Sequence, residues 1–140
     1  MAEFRRLFDR LVGEFKPPHP LRVGVQRAVY VADSQADARA AAEEARWNMR
    51  VTLSLRNQYE RVERGRAIPV PAPKEPDTDD LLDRFLVIGT PDTVIRQIRR
   101  IEEMVGITHF NCSFWFGDLE HARVMRSMER FAREVLPAFR

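Results

Sequence analysis

Few side chains in this sequence can do chemistry on their own. One cysteine, Cys112, and three histidines, His19, His109 and His121, supply all of its thiol and imidazole groups. A nucleophilic thiol needs a base beside it. Cys112 instead alternates with Phe110, Phe114 and Phe116 in THFNCSFWF, on the apolar side of a strand where a thiol is inert. His109 and His121 lack metal-ligand spacing and His19 sits between prolines, so no metal site is expected. The other side of the same stretch carries His109, Asn111, Ser113 and Trp115, which set hydrogen-bonding groups beside an aromatic wall. Thr90, followed by Pro91 and Asp92, opens a helix whose free amides can bind phosphate. Asp92 competes with an anion at that end, which favours Thr90 as a simple N-cap.

The composition narrows the classes further. The 140 residues hold 23 Lys plus Arg against 21 Asp plus Glu, with 44% hydrophobic and 31% charged residues, the balance of one ordinary domain or a piece of one. Acids interleave with the arginines, as Glu43, Glu44, Glu60 and Glu63 do with Arg46, Arg61 and Arg64, so no nucleic-acid partner is expected. The arginines from Arg46 to Arg66 read as a solvated helix face, with Trp47, Val51, Leu55 and Tyr59 as apolar neighbours. No run approaches the roughly 18 apolar residues of a membrane span, and MAEFRRLFDR carries charges where a secretory signal needs an apolar centre, so a cytoplasmic location is expected. A single cysteine excludes a disulfide scaffold or a zinc cluster.

Periodicity supplies the elements that must position these groups. Phe4, Leu7, Phe8, Leu11, Val12 and Phe15 form an amphipathic helix that the PPHP stretch stops. From Leu21 to Asp33 the chain alternates, with Leu21, Val23, Val25, Val29 and Val31 on one face and Gly24, Gln26, Ala28, Tyr30 and Ala32 on the other. Ser34 and Asp37 resemble a capping box before an alanine-rich helix expected to run, in one or two pieces, to about Arg64. A proline-rich loop then spans about 66–80. After a turn at Leu81 to Phe85 and a brief LVIG strand, Val94, Ile98, Ile101 and Val105 form the stripe of a helix that Gly106 ends. In the last helix Leu119, Ala122, Met125, Met128, Phe131, Val135 and Phe139 are expected inward. This alternation predicts an α/β fold with parallel strands. Two full strands and one short one are too few for an eight-stranded barrel, for which about 250 residues is typical.

Four features in order are similar to the C-terminal end of the luciferase-like flavin-dependent monooxygenases. They are a strand ending in YVADS before an alanine-rich helix, the turn and helix VIGTPDTVIRQI, the strand and loop GITHFNCSFWFGDL, and the closing helix SMERFAREVLPAF. The resemblance covers about Leu21 to Arg140. It implies the C-terminal part of a TIM (β/α)₈ barrel: the last two βα units with parallel strands, an incomplete barrel forming one partial domain over 1–140, with the stretch at about 66–80 as a lid. It also implies oxidoreductase chemistry on an organic substrate with reduced flavin mononucleotide (FMN) and O₂, or a deazaflavin in some branches, and no metal.

In such barrels chemistry sits at the carboxyl ends of strands, which selects Tyr30, with Ala32, on the first strand and Asn111, Ser113 and Trp115 on the last as cofactor or substrate contacts, with Thr90 near a phosphate. The bland alternative is that these residues fill a core or an interface. Most of the family's flavin-gripping strands are not in this sequence. The expected partners are therefore further copies of the chain or a complementary barrel chain, with a flavin reductase as electron source. The alternative function is a truncated, non-catalytic relative that serves as an oligomerisation or binding module. Unpaired strand edges and the apolar face of the first helix predict self-association in either case.

Overall fold

The computed structural model describes residues 2–57, 61–68, 70–72 and 74–139. Tyr59, Pro69 and Pro73 lie outside the described residues. Helix α1 (Ala2–Phe15) leads to strand β1 (Gly24–Val31) and the long helix α2 (Gln35–Asn57). A hairpin of β2 (Arg61–Glu63) and β3 (Arg66–Ile68) replaces the helix expected to reach Arg64. Its two-residue turn, Arg64–Gly65, has φ of 51° and 77°, the left-handed pair that matches the twist of hairpin strands and that glycine adopts without strain. Next come a short helix α3 (Thr78–Asp80) with a π turn at Leu81–Phe85, strand β4 (Val87–Gly89), helix α4 (Pro91–Val105), strand β5 (His109–Ser113) and helix α5 (His121–Arg130) with closing turns to Phe139.

β4, β1 and β5 form a parallel sheet with β1 in the middle. Gly24–Ala28 of β1 pair with β5, and Val29–Val31 pair with β4 on the other edge. Connections that leave β1 toward one side and return across it to the other carry their helices to opposite faces, because parallel crossovers are right-handed. Two cores confirm the split. Tyr30, Ala32 and Ile88 pack with Ala38, Ala41, Ala42 and Ala45 of α2, while Val29, Val31 and Val87 pack with Val94, Ile98 and Ile101 of α4 and with Val135. The alanines bring α2 close but bury little area each, whereas each buried Val or Ile of α4 contributes about 1.5–3 kcal/mol. Polar ties therefore matter more to α2. Arg46, 9% exposed, donates from Nη1 to Glu75 Oε1 at 2.7 Å and to the Pro76 carbonyl, and from Nη2 to Thr78 Oγ1 at 3.1 Å. This corrects the expectation of a wholly solvated arginine face: Arg46 fastens the segment before α3 onto α2.

The last helix is rotated from the expected phase. Val124 and Ser127 are its buried positions, while Met125 and Met128 are 42% and 41% exposed; Leu119 before the helix and Val135 after it are buried as expected. The reason lies in β1. Above its last pair with β5 the strand edge has no strand partner, and the Val31 N–H donates to Ser127 Oγ at 2.8 Å, so α5 turns its serine rather than its methionines to the sheet. Helix α1 is held lightly, through Arg5 Nη1 donating to the Val105 carbonyl, and Phe4, Leu7, Leu11 and Phe15 remain exposed.

Candidate functional site

The face of β1 that a barrel would turn inward is divided in two. At the carboxyl end, α2 covers it. Tyr30 is 4% exposed, its hydroxyl donates to Asp37 Oδ1 at 3.3 Å, and the Arg123 guanidinium lies 5.6 Å from its ring centre. Arg123 also donates to Asp37 Oδ1 at 2.7 Å. Burial pushes the Tyr30 hydroxyl above its ordinary value. Burial alone would also raise Asp37, but the Asp33 amide and the Arg123 guanidinium hold its carboxyl below the usual carboxylate value. The Ser34–Asp37 signal becomes a real cap: the Asp37 N–H donates to Ser34 Oγ at 3.1 Å, and its carboxylate reaches back to the Asp33 N–H rather than to Ser34.

The amino-terminal half of the same face is open. In register, Gly24 lies beside His109, Gln26 beside Asn111 and Ala28 beside Ser113. Small residues on β1 alternate with polar ones, and Gln26 and Asn111 are exposed while Ser113 is half-buried. The side chains of these three form no hydrogen bond among the described residues. Trp115 follows two residues beyond the end of β5, 67% exposed and 6.1 Å from the His121 ring. Asn111 and Ser113 thus share one face of β5, with Trp115 just beyond the strand's end. Gln26, on the expected inward face but not singled out, joins them, because only the register puts its amide beside that of Asn111.

Tyr30 and Thr90 are placed elsewhere. Thr90 caps α4 with extended backbone geometry, and its hydroxyl lies 3.1 Å from that of Thr93, to which Arg96 donates. It follows β4, roughly 10 Å across the sheet and roughly 13 Å along it from Ser113 by ordinary strand spacing, with β1 between. Cys112 lies on the α4 side beside Phe110, and burial raises its thiol to about 11, which keeps it protonated at neutral pH. Among the described residues no group of three His, Cys, Asp or Glu side chains is placed to hold a metal ion. None of the described helices is long and apolar enough to cross a membrane.

The sequence profile of the luciferase-like monooxygenases matches residues 1–109. This chain belongs to the luciferase-like monooxygenase family. The match begins at the first residue, so in this luciferase-like chain the likeness includes α1 and reaches further back than Leu21. The crystal structure of the monooxygenase RslO1 from Streptomyces bottropensis is similar to it with a TM-score of 0.70 and 16% identity, over 99% of this chain and 38% of that one. At that identity the likeness concerns the fold, a parallel three-stranded α/β arrangement consistent with part of the luciferase-like barrel. The chain spans 38% of the length of RslO1. No curated protein matches it.

Proposed function

We propose that this chain is a segment of a flavin-dependent monooxygenase that acts on an organic substrate with reduced flavin mononucleotide and O₂. It supplies the closing βα units of a (β/α)₈ barrel, three in this fold rather than the two expected from the sequence, with the stretch at about 66–80 as a lid. A further copy or a complementary chain supplies the remaining strands, a reductase supplies electrons, and the setting is cytoplasmic. The supporting observation is the open half-face of β1 and β5, where Gln26, Asn111 and Ser113 hold unpaired donors and acceptors on a surface that a closed barrel would enclose.

These residues fit a flavin. Its pyrimidine edge alternates carbonyl acceptors with an N–H donor, and amide and hydroxyl side chains carry both functions. Asn111, Ser113 and Gln26 would hold that edge, Trp115 would wall the ring and exclude water, and Thr90 with the first amides of α4 would meet the phosphate. Tyr30 does not fit as a direct contact, because Asp37 already satisfies its hydroxyl and α2 covers it. When bound, reduced flavin supplies the two electrons that activate oxygen. This chain's residues orient the ring and keep the pocket dry. A deazaflavin presents the same pyrimidine edge.

Titration of the purified chain with flavin mononucleotide, oxidised and then anaerobically reduced, tests this by fluorescence and calorimetry. Saturable micromolar binding, weakened by Trp115→Ala and Asn111→Ala, is expected. Absence of binding at millimolar flavin, repeated with a deazaflavin, overturns it. The second reading, a non-catalytic oligomerisation or binding module, is favoured by α2 covering the carboxyl half of the face and by the exposed apolar row of α1. That reading predicts self-association without flavin binding.

A further inference from the structure

The loop that joins β5 to α5 carries an exposed tryptophan between two anchored phenylalanines. Phe114 meets the Phe131 ring edge-on at 5.3 Å, and Phe116 is buried with Leu119 in the core that α2 covers. Trp115 between them is exposed. We infer that Glu44 of α2 is the positioning residue that fixes Trp115 beyond the end of β5. Glu44 Oε2 accepts the Asp118 N–H at 2.8 Å. Gly117, one residue earlier, turns the chain in the left-handed region with φ of 62°, and a Cβ there would lie 2.5 Å from the Glu44 carbonyl oxygen. Glycine therefore meets two demands at once, the backbone angle and the close approach to α2.

The apolar contacts and the hydrogen bond contribute differently. Burial of Phe116 and Leu119 keeps the loop on α2 but sets no direction, because the hydrophobic effect is non-directional. A charge-assisted bond to one amide does set a direction, and with it the backbone from which Trp115 projects. Asp118 is exposed, so water would satisfy its N–H if Glu44 did not. The bond thus selects a conformation rather than rescuing a buried donor. An aromatic side chain ordered in advance spares that ordering cost when a ligand stacks on it. That Trp115 faces a flavin rests on the function proposed above; that Glu44 orders it does not.

The sequence holds two tryptophans, so Trp47→Phe leaves Trp115 as the one indole, and time-resolved fluorescence anisotropy then reads its local motion without a ligand. In that background Glu44→Ala should raise the amplitude of the nanosecond component about twofold. Glu44→Gln keeps an acceptor of the same reach and should restore the parent value. Gly117→Ala displaces the turn while leaving the carboxylate, and should match Glu44→Ala; it carries the same test if circular dichroism shows that Glu44→Ala loses its fold. Flavin mononucleotide should bind Glu44→Ala about threefold to tenfold more weakly than the parent, but no more weakly once Trp115→Ala is in place, because Glu44 acts through that ring. Unchanged anisotropy in a folded Glu44→Ala, no rescue by Gln, or an equal loss of affinity in both backgrounds overturns the inference. If the parent binds no flavin, the flavin reading fails, and the anisotropy alone decides for or against Glu44.

Discussion

Asp37 shows how one residue can serve both a helix cap and a core. It accepts from the Asp33 N–H, the Tyr30 hydroxyl and Arg123, and its pKa is lowered in the fold. A lowered carboxylate contributes stability that is present above its unfolded value of about 3.9 and lost as the pH falls through its folded value. Asp37→Asn should therefore cost about 1 kcal/mol at pH 7, and the difference from the parent should shrink as the pH falls below about 3.9 in urea melts. A second expectation concerns Cys112. With its thiol at about 11, alkylation by iodoacetamide should be slow at pH 8 and should still be rising above pH 9, where an ordinary cysteine has levelled off. The inert character of Cys112 and the polar face of Asn111 and Ser113 were legible in the sequence, because strand alternation is local. The burial of Tyr30 was not, because it depends on which face receives α2.

Among the elements, α4 was legible throughout. Thr90, Pro91 and the four-residue apolar stripe mark it, and Gly106 ends it in the left-handed region with φ of 65°. α5 was not, since two stripes compete on it. The apolar one, with Met125 and Met128, loses to Val124 and Ser127, because a strand amide 96 residues earlier needs the serine oxygen. Ser127→Ala should leave that amide unsatisfied and cost about 1–3 kcal/mol, whereas Met125→Gln should change stability by less than about 0.5 kcal/mol. Arg46 also escaped pattern reading, because its partners Glu75, Pro76 and Thr78 come from beyond the hairpin. Removing one partner of a largely buried pair leaves the other uncompensated. Arg46→Met should lower stability by about 2–3 kcal/mol and raise the rate of proteolysis between residues 66 and 80, measured by urea melts and limited trypsin digestion.

At the scale of the whole molecule, alternating strands and helices announced parallel α/β architecture. Strand order was beyond reach, since periodicity says which residues share a face but not which strands are neighbours. Among the described residues β4 and β5 each keep an unpaired edge in the sheet, and α1 leaves Phe4, Leu7, Leu11 and Phe15 exposed. Sedimentation equilibrium should therefore find the chain associated, and Leu7→Glu with Leu11→Glu should shift it toward monomer; a monodisperse parent monomer would contradict this. The central place of β1 also governs how the chain folds. The strand that anchors the sheet is synthesised first, yet its ties are distant: Val23, just before it, bonds Thr108 across 85 residues. Closing such loops comes before any sheet energy is gained, so folding should be slow for a chain of this size. During synthesis β1 must wait, apolar and unpaired, until β4 and β5 emerge. That interval is when a chaperone or a second nascent chain has most to bind.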